Sequence, residues 1–296
     1  MKTVVMYHYV RETANTEFPG LYSRKIQEFE NQINYVQNNL KIEQFPQALT
    51  TSDNSAILTF DDGLSDHYSE VFERLQAREI LGMFFVSTAP LISPVVLDVH
   101  KIQLCLGKFG IDSNYEILRS LLGNKSLTEY EDSGSYKDDG TRFDESKVVL
   151  FKRLLQRDLP QPLRSNLVDK IFEKGFPGEA RQISRGLYMS LRELKEMKSA
   201  GMIIGNHTHT HPWLGHIPYD VAVSEIQKAE DLLVEEQLME IEFKTIAYPY
   251  GDFNDATVEY LNNNKYQVGF STEPTTWTSD NHFLKAPRLD TNDLPF

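Results

Sequence analysis

An α/β fold, an incomplete barrel of seven parallel strands with helices between them, is what this 296-residue chain predicts. Two observations carry the prediction. Short apolar runs of strand length alternate with patterns of helical period, the signature of βα units around a parallel sheet. The two segments richest in chemistry, Thr59-Phe60-Asp61-Asp62-Gly63 and His207-Thr208-His209-Thr210-His211-Pro212, each follow directly on such a run. In parallel α/β proteins the carboxyl ends of strands are where ligands and catalytic groups collect.

The first strand is expected at Thr3–Tyr7 and the second at Ala56–Phe60, whose Ala56, Ile57 and Leu58 lead into the paired carboxylates. Tyr68, Val71, Phe72 and Leu75 then recur at i, i+3, i+4 and i+7, predicting a helix with Ser65 as its cap. A strand follows at Met83–Val86. Ser190, Leu191, Leu194 and Met197 open another helix, which Gly201 is placed to stop before a strand at Met202–Gly205. Val221, Ile226, Ala229, Leu232 and Leu233 mark a third helix. Strands at Thr245–Tyr248 and Gln267–Phe270 and a short one at Phe283–Ala286 complete the set.

Residues 91–188 break this rhythm. Helical segments such as Glu116–Leu122 and Val148–Leu155 flank a polar, acidic loop from Tyr130 to Ser146. The stretch reads as a helical insertion within a single domain spanning residues 1–296. Shaping access to a substrate, acting as a structural lid and making an oligomer contact are the roles open to it; the oligomeric state itself is not readable.

Composition sets outer bounds. Hydrophobic content of 40% and charged content of 25% fit a globular chain. A formal net charge of −13 argues against non-specific binding to nucleic acid or to an anionic membrane. The single cysteine, Cys105, rules out an intrachain disulfide and any multi-cysteine zinc site. The apolar stretch Val4-Val5-Met6-Tyr7 is too short for a signal-peptide core or a membrane span, so a cytoplasmic location is expected.

The chemistry follows from the two segments together. Two neutral imidazoles and one carboxylate are a common ligand set for a catalytic divalent metal, with positions left for water and substrate. With Asp62, His207 and His211 as ligands, Asp61 points to the other side of an extended segment, because side chains alternate. It is then placed to take a proton from an attacking water. His211 precedes Pro212, which disfavours a helix, and no glutamate stands between the histidines, so a zincin-type helical site is not expected. The reading is a metal-dependent hydrolase. Zinc is the expected ion, with cobalt, nickel and iron compatible with the same donors.

The layout resembles the polysaccharide deacetylases of the NodB-homology type, carbohydrate esterase family 4. Thr59–Gly63 is similar to that family's first motif, His207–His211 with Pro212 to its second, and Ala247-Tyr248-Pro249-Tyr250-Gly251 to its third. Tyr7-His8-Tyr9 and Ala286-Pro287-Arg288 resemble the branch that deacetylates poly-N-acetylglucosamine. The resemblance implies a NodB-type (β/α)7 barrel that removes N-acetyl groups from an amino sugar in a glycan or glycan precursor. It implies Asp61 as base, Asp62, His207 and His211 as metal ligands, and a backbone N–H at Tyr250 supporting the oxyanion.

Two departures stand out. The arginine that braces the catalytic aspartate in the third motif is replaced by Ala247, and Arg288 is either its substitute from another strand or a surface cation. No L-x-x-H follows Arg288, so the acid that protonates the leaving amine has to come from elsewhere. His8, at the end of the first strand, is the first candidate, and His100 in the insertion the second. His209 is expected to point away from the metal, and His67, His216 and His282 to lie on the surface. Of Trp213, Tyr250 and Trp277, only Tyr250 is carried as a wall against the substrate. Two other functions compete: hydrolysis of a small sugar formamide or ureide, and a non-catalytic carbohydrate-binding relic of the fold.

Overall fold

The computed structural model describes residues 1–43, 45, 54–123 and 144–295. Most of the acidic loop expected at 130–146 lies outside the described residues. Chain order gives β1 (Lys2–Tyr7), β2 (Lys41–Ile42), β3 (Ser55–Phe60), β4 (Met83–Val86), β5 (Ile203–Asn206), β6 (Lys244–Ala247), β7 (Tyr266–Phe270) and β8 (Leu289–Asp290). Seven of them line up as β7-β6-β5-β4-β3-β1-β8, with β2 beside β3, and every pairing is parallel. This is the incomplete (β/α)7 barrel that the alternating pattern predicts.

Alternation of side chains divides each strand between two cores. Val5, Tyr7, Ala56, Leu58, Phe60, Phe84 and Val86 face outward, onto Phe29, Ile33 and Val36 of the helix Ile26–Asn39 and Leu194 and Met197 of the helix Leu191–Ser199. Val4, Ile57, Met83, Phe85, Ala247, Val268 and Phe270 face inward and fill the barrel together with Trp277. Trp277, with Phe45 stacked on it at 6.3 Å, is therefore core and not a substrate wall.

The seventh stave differs from the expected strand at Phe283–Ala286. Phe283–Lys285 is a single 3-10 turn, and Ala286 exchanges hydrogen bonds with the end of β7 (Ala286 N–H to Gly269 O and Ser271 N–H to Ala286 O, both 2.8 Å). The chain then crosses to the opposite edge, where Val5 and Met6 pair with Leu289 and Asp290. Residues 286–290 thus bridge β7 and β1, with Arg288 in the middle. The apolar Phe283 and Leu284 suggested a strand three residues too early; Pro287 has no N–H to continue a ladder.

Ser65 is not a helix cap either; its hydroxyl donates to Gly186 O at 2.7 Å. The helix after β3 already includes Ser65 and Asp66, runs on as a π-helical segment, His67–Phe72, and continues as Glu73–Gln76. Ser190 does cap its helix: its hydroxyl accepts from Glu193 N–H, and the Glu193 carboxylate accepts from Ser190 N–H at 2.7 Å. Gly201, at φ 93°, turns the chain out of that helix and into β5.

The chain forms two compact units. The first holds the barrel (Met1–Glu12, Ser23–Val95, Ser184–Phe296), and the second comprises Thr13–Tyr22 and Val96–Ile183. Within the second, the helix Asp98–Leu122 breaks at Gly110 (φ 70°), where the Asn114 amide donates to the carbonyls of Cys105 and Gly110 at 2.8 and 2.7 Å. His100 is buried in this helix. The expected segments Glu116–Leu122 and Val148–Leu155 fall in Asp98–Leu122 and at Ser146–Arg153, with its π-helical continuation. Among the described residues no helix is long and apolar enough to cross a membrane.

Candidate metal centre

All the residues of the site come from the barrel unit, and all but Arg288 follow the carboxyl ends of its strands. Tyr7 pairs with Phe60, and Asp61 N–H still donates to Tyr7 O at 2.9 Å, so His8 and Asp61 are neighbours on adjacent strand ends. Both continue the inward-facing parity of Val4 and Met6, and of Ile57 and Thr59. His207 leaves β5 on the same face, after Ile203 and Gly205. Gly205 is needed there: a Cβ would lie 2.5 Å from the Phe85 ring and 2.7 Å from Thr245 Oγ1.

The chain then turns sharply in each motif. Asp62 (φ 76°), Thr208 (φ 65°), His211 (φ 64°) and Tyr250 (φ 59°) all occupy the left-handed region that residues with a Cβ rarely adopt. Such strain costs about 1–3 kcal/mol per residue and persists where the surroundings over-determine it. Here they do. Thr208 N–H donates to Asn206 Oδ1 at 2.7 Å, and the Asn206 amide donates in turn to Ile226 O and the Tyr266 hydroxyl. His211 N–H donates to Thr208 Oγ1 at 3.1 Å, and the Ser87 hydroxyl donates to His207 O at 2.8 Å. Residues 207–213 contain no helix, as Pro212 led us to expect.

These turns bring Asp62, His207 and His211 together, all buried, their donor atoms within 4.8 Å of one another. Asp62 Oδ1 lies 3.3 Å from His207 Nε2 and 3.2 Å from His211 Nε2. Donors sharing an ion at about 2.1 Å are separated by roughly 3.0–3.4 Å in octahedral or tetrahedral geometry, so both separations from Asp62 suit a shared divalent cation. The His207 Nδ1–H donates to Ala247 O at 2.7 Å, which turns Nε2 towards Asp62. Burial pulls the His207 pKa down, but the Asp62 hydrogen bond and the charges of Asp61 and Asp62 outweigh it and raise it. The pocket therefore demands positive charge beside Asp62, from an imidazolium or from a metal.

Asp61 does not join this set. It is 2% exposed, and Arg288, fully buried, holds it with two parallel bonds, NH1 to Oδ1 at 2.8 Å and NH2 to Oδ2 at 2.7 Å. Arg288 also donates from Nε to Ser271 O at 2.9 Å and from NH1 to Thr59 Oγ1 at 3.2 Å. Arg288 is thus a brace on Asp61 and not a surface cation. Burial pushes the Asp61 pKa up, but the charges of Arg288, His207 and His8 and the Arg288 hydrogen bonds hold it below the ordinary carboxylate value.

His8 is half-buried beside Asp61 and close enough for its charge to bear on that carboxylate. Tyr250 packs its ring on the edge of His211 (centroids 4.7 Å) and stacks on Trp213 at 4.4 Å, so Trp213 and Tyr250 form one aromatic surface beside His211, of which the sequence singles out only Tyr250. His209 turns away, with Nδ1 2.9 Å from Thr88 Oγ1. His216 pairs with Asp252 at 3.0 Å, and His282 caps the turn before Ala286. His67 corrects our expectation of a surface residue: it is fully buried, edge-on to Phe60 at 5.6 Å. A signal for it existed, since His67, Val71 and Leu75 recur every four residues on one helical face.

Residues 174–269, which include the second and third motifs, match the polysaccharide deacetylase family model. A sequence search of curated proteins finds no significant match. Among solved structures, the Streptococcus pyogenes deacetylase PplD in complex with acetate is similar at 17% identity and TM-score 0.59, over 97% of this chain and 91% of that one. IcaB from Ammonifex degensii is similar at 16% identity and TM-score 0.55, covering 97% and 90%. The BpsB deacetylase domain from Bordetella bronchiseptica gives 15%, 0.57, 97% and 94%. At these identities the structures share the fold, and the motif resemblance and the family model agree on polysaccharide deacetylase.

Proposed function

We propose that this protein is a metal-dependent carbohydrate N-deacetylase, acting on an N-acetylated amino sugar in a glycan or glycan precursor. The observation that carries the proposal is the pairing of two carboxylates with separate duties. Asp62 faces two imidazole Nε2 atoms at 3.3 and 3.2 Å, while the adjacent Asp61 is locked to Arg288. A structural turn needs neither arrangement.

Asp62, His207 and His211 would hold the ion, zinc by preference of the donor set. The ion, when bound, supplies a Lewis acid for the amide carbonyl and lowers the pKa of water. Asp61 accepts the proton of the attacking water. Arg288 keeps Asp61 ionised and aimed, since both carboxylate oxygens are fixed by the guanidinium fork. The backbone at Tyr250 is the proposed support for the oxyanion, and the Tyr250–Trp213 stack forms an apolar wall beside His211. The departing nitrogen needs a proton, because an amine anion is a very poor leaving group. His8, beside Asp61 on the neighbouring strand end, is the proposed donor.

The test is product release from N-acetylated and N-formylated saccharides of several sizes by zinc-loaded and chelator-treated protein. Zinc-dependent acetate release supports the proposal. Formate release alone would move the function to a sugar deformylase, and no release from any substrate would favour a binding relic.

A further inference from the structure

His67 stands outside the site just described, yet its ring is committed to it. The side chain is fully buried at the start of the π-helical segment His67–Phe72, wedged against Phe60 (5.6 Å) and Phe84 (5.9 Å). Its Nε2 lies 2.8 Å from the backbone carbonyl of His8. A carbonyl can only accept, so Nε2 carries the proton. Burial holds the imidazole below its ordinary pKa, so the ring is neutral and Nδ1 is a bare lone pair. That Nδ1 is buried and has no hydrogen-bond partner among the described residues. A buried polar atom left unsatisfied is uncommon and asks for a reason. A phenylalanine would fill this apolar niche without the unsatisfied atom, but it has no N–H to offer.

The neighbouring residue makes a second attachment to the same piece of chain. Asp66 accepts from Val10 N–H at 2.6 Å and from the Arg11 guanidinium at 3.0 and 2.7 Å. Two adjacent side chains of the turn after β3 thus grip the backbone of His8 and Val10. This stretch leaves the β1–β3 ladder after Tyr7 and regains backbone bonds only at Tyr9 O and Arg11 N–H, both to Arg24, so the His8 carbonyl depends on His67.

We propose that His67 is a positioning residue: its Nε2–H fixes the backbone of His8, and so sets where the His8 imidazole stands beside Asp61. The inference rests on the reading of His8 as proton donor to the leaving nitrogen. His67 touches neither metal ligand nor substrate; it acts through the carbonyl alone.

The experiment is a double-mutant cycle on the full chain, using His67→Phe, His67→Gln and His8→Ala. It reads acetate release from an N-acetylglucosamine oligomer by zinc-loaded protein, and the imidazole NMR resonance of His8 in metal-free protein. His67→Met replaces the phenylalanine should that variant fail to fold. His67→Phe is expected to lower kcat about tenfold at unchanged KM, since small misplacements of a reacting group are costly. It should also shift or broaden the His8 resonance. His67→Gln, which keeps a donor, should restore both, and the His67→Phe loss should vanish in the His8→Ala background. A loss that persists in full on top of His8→Ala, or a His8 resonance indifferent to residue 67, overturns the positioning role while leaving the proton-donor reading intact. Full turnover by His8→Ala alone overturns the proton-donor reading and this inference with it.

Discussion

Replacing Arg288 with alanine removes four hydrogen bonds at once, two to Asp61 and one each to Ser271 and Thr59. The dominant loss is electrostatic: Asp61, 2% exposed, is left as a buried carboxylate without its cation. Breaking such a buried pair from one side costs about 3–5 kcal/mol, a large part of the roughly 5–15 kcal/mol that holds a typical domain. The pH dependence gives the signature. In the native protein the Asp61 pKa is held below the ordinary value of about 3.9, so the pair stabilises the fold above that pH and is lost as pH falls through the lowered value. Without Arg288, burial is left as the main influence and raises the Asp61 pKa above its unfolded value. The variant is then penalised most at neutral pH and relieved as pH falls and Asp61 takes a proton. Urea unfolding of both proteins from neutral pH down to about 4 measures the gap. It should be widest at neutral pH and narrow on acidification. A gap below about 1 kcal/mol that does not change with pH would mean that Asp61 does not depend on Arg288.

Three further outcomes are expected. Gly63→Ala should destabilise the loop that carries Asp62, because residue 63 sits at φ 68° and the new Cβ would meet Val86 Cγ1 at 2.9 Å; a lowered melting temperature with weakened zinc binding checks this. Cys105, buried and with its thiol pKa pushed up to about 12 by burial, should resist alkylation in the native protein at neutral pH and react on unfolding. Its neutral form stabilises the fold below the unfolded value of about 8.5, and this contribution should fade as pH rises from there towards about 12. His211→Ala should abolish tight zinc binding in a titration, since it removes one of the three donors, whereas His209→Ala should bind zinc like the parent protein because His209 is turned to Thr88.

The sequence made the barrel and the metal set legible for one physical reason. In a parallel sheet buried on both faces the strands are apolar runs, and the functional residues stand immediately after them. Asp61 and Asp62 after β3, and His207 after β5, could therefore be placed on one end of one sheet without any knowledge of the turns. The sequence does not decide between brace and surface for Arg288, because its placement depends on residues 286–290 crossing from β7 to β1, a contact between chain positions about 230 residues apart that no local pattern encodes. The last strand was misplaced for the same reason. His67 was misjudged because polar neighbours hide it, and because a π-helical segment, which local propensity does not announce, turns it inward. The left-handed turns at Asp62, Thr208, His211 and Tyr250 were equally invisible, since no glycine marks those positions.

In the proposed mechanism adjacent carboxylates divide the labour, and Asp61→Asn tests that division most directly. Zinc content and acetate turnover are measured on the same preparation. The variant should bind one zinc ion per chain as the parent protein does while kcat falls by roughly 10²-fold or more, because the ligand set is intact and the proton acceptor is gone. Loss of zinc would make Asp61 a ligand, and full turnover with zinc bound would leave it no part in the chemistry; either result contradicts the account.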